Sequence, residues 1–406
     1  MTVEKANTRC RSTRSRESGP TGKSKVSLFT ASRMTLARKR RGLTLVEVAE
    51  HVGITAQSVS NYENARQVPS AQVLDSIAET LGFPVSFFHA PEFEPLTTDQ
   101  VSFRAHSKLP ARKRDIALSV GRLAIEFHDW MSRRYHLPPS GLPSLNKPDP
   151  ETAAGIVRAR WNLGSAPIGN TVHLLESHGV RVFSLAPEYS DVDAFSFYND
   201  GVPFVFLNTM KTAERGRFDA AHELGHLVLH GQGCDLTRIQ AEQEANDFAS
   251  AFLMPRESVV AHMPPSPLVD QILTGKKIWN VAALALTYRL HDIDMLSDWH
   301  YRTTCMELGR RGYRTKEPDG IQRESSQLLT KVFLSLRKRG VSISDVAREL
   351  AVSQEDLNSY VFGLVLTVLE GHHAGGGETD RPTLRLVETA SRPSRGVNGR
   401  QIPDLY

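Results

Sequence analysis

Residues 218–231 read FDAAHELGHLVLHG and contain HELGH, a complete H-E-x-x-H. No other stretch of the chain is as restrictive. On a helix, His222 and His226 stand one turn apart on the same face, so both imidazoles can reach one zinc ion. Glu223 lies beside the first of them, placed to take a proton from water at that ion. Phe218, Ala221, Leu224, Gly225 and Val228 bring apolar and small residues at core-like spacing, which predicts the helix. The competing reading is a buried helix whose histidines are structural.

A catalytic zinc needs a third protein ligand and one open position. The next helical stretch, AEQEANDFASAFLMP at 241–255, offers Glu242. Glu244 is the rival ligand; two residues on, it points elsewhere. Asn246 follows Glu242 by four residues and shares its face, where it can hydrogen-bond and orient a ligand. Acidic residues in a first helical turn also suit the helix dipole, so an ordinary amphipathic helix accounts for them too. Ala245, Phe248, Ala249, Phe252 and Leu253 pack a core in either case, and Pro255 marks the stop.

AHELGHLVLH followed by ExEANxFAxxFLMP resembles the ImmA/IrrE family of zinc metallopeptidases, with both motifs and a short gap between them. The resemblance implies a gluzincin-like set: His222, His226 and Glu242 on zinc, with Glu223 as base. It also implies a typical substrate, a helix-turn-helix repressor that is cut to release transcription. His230 matches the last His of the motif and shares a face with His226; a structural or ligand-supporting role is expected for it. An oxyanion donor is not evident: His230, Tyr198, His262 and Tyr301 are all candidates.

At 406 residues the chain is long enough for two or three domains. Its 40% hydrophobic and 23% charged residues fit a soluble globular protein, and no apolar run has the length of a membrane span. The basic N-terminus is not followed by an apolar signal region. Cys10, Cys234 and Cys305 do not make a disulfide framework, so the cytoplasm is the expected compartment. Cys234, near the histidines, is a weaker ligand candidate than Glu242. A formal charge of +4 and a pI near 8.9 permit nucleic-acid binding without demanding it.

Residues 1–33 read as a disordered basic tail, with Met34 as an alternative start. Residues 34–90 read as a small all-α domain. A basic helix ends at Gly42, Thr44 and Glu47 make a capping box, Gly53 turns the chain, and Thr55 and Ser70 cap two more helices. This is a helix-turn-helix layout, in which the second helix of the pair enters the major groove. The stretch LxxVAxxxGITxxxVSxYExxRxxPS resembles phage repressors of the Cro/C1 type. That resemblance places Gln57, Ser58, Ser60 and Asn61 at or near double-stranded DNA. Gln57 and Asn61 have side chains able to read adenine edges, and Arg38, Arg40 and Arg66 are candidate phosphate contacts. Each could equally be an ordinary solvated residue, and the fold can also bind protein. Glu63 is expected to be structural or at the surface.

Residues 91–150 read as linker and packing helix, with a long helix over 113–135 and a Pro-rich break after it. The zinc metallopeptidase domain is expected over 151–270. There VRVFSL is a strand, and DAFSFY and PFVFLN flank Asn199-Asp200-Gly201 as a hairpin. One of these two strands is expected to be the sheet edge that holds an extended substrate. Residues 271–371 read as a helical C-terminal region. Within it SISDVARELAVSQEDLNSY (342–360) repeats TLVEVAEHVGITAQSVSNY (44–62) without a gap. Glu355 and Asp356 in the repeat would repel phosphate, so packing, partner binding or homodimer formation is expected of it. Residues 372–406 read as a second disordered tail.

The expected fold is therefore multidomain: an all-α helix-turn-helix domain, an α+β zincin-like metallopeptidase domain and a helical C-terminal region. The expected function is a zinc endopeptidase coupled to a DNA-binding domain, cleaving a repressor or antitoxin-like regulator, with no membrane partner. The alternative is a DNA-binding regulator whose metal is structural or sensory.

Overall fold

The computed structural model describes residues 29–104, 110–143, 145, 148–185, 192–230, 237–365 and 385–386. Most of the two expected tails, and Cys10 and Cys234 with them, lie outside the described residues.

Four helices open the chain: α1 (Ala31–Arg41), α2 (Leu45–Val52), α3 (Ala56–Glu63) and α4 (Ala71–Leu81). Thr44 and Glu47 form the capping box of α2, and Thr55 and Ser70 cap α3 and α4 through their side chains. Gly42, Gly53 and Gly82 take positive φ at the helix ends, where an L side chain would be strained. A short 3₁₀ turn, Val85–His89, buries Phe87 and Phe88 beneath these helices.

Next come β1 (Val101–Arg104), the 22-residue helix α5 (Ala111–Ser132) and β2 (Tyr135–His136). Helices α6 (Pro150–Arg160) and α7 (Thr171–Ser177) lead into β3 (Arg181–Leu185), β4 (Ala194–Asn199) and β5 (Val202–Asn208). Asp200 and Gly201, both at positive φ, turn β4 into β5 as the Asn-Asp-Gly signal predicts. The HELGH sequence follows on α8 (Ala213–Leu229), and its partner is α9 (Arg238–Leu253).

The sheet order is β1-β4-β5-β3, with β3 parallel and β4 antiparallel to β5. This corrects the expectation that β4 or β5 is the free edge. Both are interior, because the segment read as linker supplies β1, which pairs antiparallel with β4. The strands alternate their side chains between two cores, as the pleat dictates. Phe183, Phe195, Phe197, Phe204 and Phe206 face α5 and join a core shared with α1 to α4. Val182, Ala194, Val205 and Leu207 face the opposite way and pack with α8 and α9. The sheet is thus the middle of three layers, and α8 lies on the side away from the helix-turn-helix domain.

The remaining helices are α10 (Arg256–His262), α11 (Val269–Trp279), α12 (Ala283–Asp292), α13 (Asp298–Arg310), α14 (Gln327–Lys338), α15 (Ile343–Glu349) and α16 (Gln354–Val361). A last short strand, β6 (Arg385–Leu386), pairs with β2. The architecture is an N-terminal all-α helix-turn-helix region, a central mixed α/β region and a C-terminal helical region.

The internal repeat has a structural counterpart. Ser342 and Asp345 form a capping box at α15, as Thr44 and Glu47 do at α2. Val346, Ala347, Leu357 and Tyr360 are buried at the positions that match Val48, Ala49, Val59 and Tyr62, of which Tyr62 alone is only partly buried. Asp356 is 1% exposed and receives both Arg40 and Arg41. The repeat thus packs against α1, with the residue that would face phosphate turned inward.

Candidate metal centre

Helices α8 and α9 can lie close because of one residue inside the motif. A Cβ on Gly225 would sit 3.1–3.3 Å from the Phe248 ring and the Ala245 backbone. That packing brings His222, His226 and Glu242 together, with one ligand atom from each within 4.8 Å of the others. His222 and His226 are buried, while Glu242 is partly exposed. The Glu242 carboxylate lies 3.4 Å from His222 Nε2 and 4.0 Å from His226 Nε2. Among the described residues these are the only His, Cys, Asp and Glu side chains grouped as a metal ion requires.

The outer hydrogen bonds engage the Nδ1 side of both ligand rings. His222 Nδ1 donates to Asn246 Oδ1 at 3.0 Å, leaving its Nε2 as a bare lone pair. His230 Nε2 donates to Glu244 Oε2 at 3.0 Å, so His230 Nδ1 accepts from His226 Nδ1, also at 3.0 Å. In that tautomer His226 Nε2 likewise turns a lone pair toward the site. The two Nε2 atoms face each other at 3.0 Å beside an anionic carboxylate. Three convergent lone pairs repel one another unless a cation sits between them, so the donor set fits a divalent metal of the zinc type. Glu244, the sequence's rival ligand, is engaged with His230 instead.

Glu223 is fully buried on α8, next to the ligands. Ser196 Oγ, on the α8-facing side of β4, donates to Glu223 Oε2 at 2.5 Å. Ser196 carries no signal in the sequence, since a serine at an inward position of an apolar strand has no motif around it. The candidate oxyanion donors make other contacts. Tyr198 donates to Leu227 O at 3.1 Å, and burial pushes its phenol up to about 12. His262 bonds Ser258 O, Tyr301 stacks on His291, and His230 bridges His226 to Glu244.

On the helix-turn-helix face, Gln57 is exposed and Ser58, Ser60 and Asn61 are half-buried. Gln57 donates to Asn61 Oδ1 at 3.0 Å, and Asn61 donates to Gln67 at 3.3 Å. Arg66 is exposed. Two expected phosphate contacts are placed otherwise. Arg38 grips both oxygens of Glu63, at 2.6 and 2.8 Å, and donates to Leu43 O. Arg40 is 7% exposed and is held by Asp356 and Ser359, each at 3.1 Å. Basic character alone suggested phosphate; the carboxylates that neutralise these arginines come from distant segments.

Comparison with known families agrees with this geometry. Residues 175–291 match the peptidase family model described as an IrrE N-terminal-like domain, and residues 31–86 match one described as a helix-turn-helix domain. An ImmA/IrrE-like peptidase domain and an N-terminal helix-turn-helix domain are both present. No curated protein matched the chain. The IrrE-like match contains β3, β4, β5, α8 and α9, and so every group of the candidate metal centre. It ends within α12; β1, α5 and α14 to α16 lie outside it. No helix among the described residues is long and apolar enough to cross a membrane.

Proposed function

We propose that the chain is a zinc-dependent endopeptidase joined to a sequence-specific DNA-binding domain, and that it cuts a transcriptional repressor or antitoxin-like regulator to switch gene expression. The observation that carries this reading is the convergence of His222, His226 and Glu242 beside Glu223 in the IrrE-like domain. A zinc ion bound there would polarise the scissile carbonyl and lower the pKa of water. Glu223 takes the proton from the attacking water and returns it to the leaving amine. Ser196 holds that carboxylate in one orientation, and Asn246 and His230 hold the two imidazoles in the ligating tautomer.

Among the described residues three ligand groups converge, the number that a catalytic zinc takes beside its open position. The helix-turn-helix domain would bring the peptidase to the operator on which its substrate sits. In this reading Gln57, Ser58, Ser60 and Asn61 meet the bases, and Arg66 meets phosphate.

The test is incubation of the zinc-loaded chain with helix-turn-helix repressors encoded nearby, with and without chelator. One discrete cut is expected, lost with chelator and lost in Glu223→Gln. Cleavage by Glu223→Gln at the wild-type rate would overturn the mechanism. Failure of the wild-type chain to cut any candidate would leave the regulator without proteolysis as the better account.

A further inference from the structure

The side of the sheet nearest Glu223 is β4. Ser196 on this strand holds Glu223, and Tyr198 two residues on bonds the same helix at Leu227. An extended peptide is held at a sheet edge by its own backbone, so the outer side of β4 is where a substrate strand would come nearest the base. That position is already taken. β1 runs antiparallel along β4, with Ser102 opposite Ser196, Phe103 opposite Phe195 and Arg104 opposite Ala194. A strand added beyond β1 would lie about 5 Å further from Glu223, too far to present its carbonyl there.

β1 is foreign to the catalytic unit. It falls outside the IrrE-like match, and it comes from the segment between the helix-turn-helix domain and α5. At four residues it is short for a strand, so few backbone bonds hold it down. Both its flanks are fastened to α1. On one side Thr30 N donates to Phe88 O, and Arg33 Nε to Pro91 O. On the other, α5 is tied to α1 by Arg33–Glu126 at 2.7 Å and Lys39–Asp115 at 3.2 Å.

We propose that the outer edge of β4 is the docking surface for an extended segment of the substrate, and that residues 101–104 occupy it in the resting chain. The proposal rests on the peptidase reading above. A substrate then binds only when β1 lifts.

The experiment uses the full chain with Glu223→Gln, so that nothing is cut, and a fluorescent peptide of sequence TDQVSFR, copied from Thr98–Arg104. With the edge filled, apparent affinity is reduced by the fraction of time it is open, so adding Ser102→Pro and Phe103→Pro should tighten peptide binding about tenfold or more. Equal binding with and without the prolines would overturn the proposal. So would no binding by an opened chain that still melts cooperatively and holds one metal ion. If the proline chain does not fold, hydrogen exchange on the unmodified chain decides. The amides of 102–104 should exchange by local opening, ahead of those in β5; exchange only on global unfolding would make β1 a permanent strand. Neither readout needs cleavage. A peptidase that cuts nothing would therefore fail separately from a β4 edge that binds nothing.

Discussion

Glu244 Oε2 lies 3.0 Å from His230 Nε2, and through that ring it favours the tautomer of His226 that turns Nε2 to the ligand side. The chain Glu244–His230–His226 leaves His226 Nε2 unprotonated beside His222 Nε2. Without the carboxylate, His230 can turn over and His226 can carry its proton on the ligating side. Glu244→Ala should therefore weaken zinc binding about 10- to 100-fold. Chelator competition reads the affinity. The metal-free melting temperature should change little, because the Glu244 side chain is 36% exposed and lies outside the core.

Ser196 acts on a different group. Its hydroxyl holds one oxygen of Glu223, so Ser196→Ala should leave zinc content unchanged and lower kcat. A loss of about tenfold is expected, part of the ~10²–10⁴-fold that a positioned acid–base group supplies. Steady-state cleavage beside metal analysis separates the two effects. Loss of zinc in Ser196→Ala would assign the serine to packing instead.

His128 should make the fold sensitive to acid. It is buried in α5, accepts from Arg181 Nε at 3.2 Å and sits edge-on to Phe204. Burial first, and then the Arg181 charge, hold its pKa down at about 4. Below the usual histidine value of 6.5 the unfolded chain takes up a proton that the folded chain refuses. The His128 contribution is then full above pH 6.5 and is lost as pH drops toward 4, about 3 kcal/mol in all. Denaturant titrations of the unmodified chain and of His128→Gln across that range should differ by that slope, a comparison that cancels the opposite trend of Glu176, which burial raises to about 7.

The helix-turn-helix residues divide into two groups. Gln57→Ala or Asn61→Ala should relax operator discrimination by about 1–3 kcal/mol without changing the melt. Arg66→Ala should weaken binding to all sequences and reduce the salt slope by about 1. Arg40→Ala should instead lower the melting temperature, since it leaves Asp356 buried with one of its two arginines gone. Fluorescence anisotropy with operator and scrambled DNA, paired with thermal melts, distinguishes these outcomes.

The elements that were legible in the sequence are those with local causes. Thr44, Thr55 and Ser70 are caps whose bonds close within three residues, and Asp200-Gly201 is a turn whose backbone angles demand those residues. HELGH was readable for the same reason, since its ligands are one helical turn apart. What escaped depends on pairing across the chain. β1 looks like linker because a four-residue strand between prolines has no period of its own. Ser196 and Glu244 gain their roles only when β4 and α9 close on α8. Arg40 looks like a DNA contact until Asp356, more than three hundred residues away, is folded against it.

The central claim is that α8 and α9 present two imidazoles and one carboxylate to a single ion. Zinc content by mass spectrometry of the native chain, compared across variants, tests it most directly. The account predicts one zinc per chain in the wild type and in Glu223→Gln, and none in His222→Ala or Glu242→Ala with the fold retained. One zinc per chain in a folded Glu242→Ala, bound as tightly as in the wild type, would contradict it.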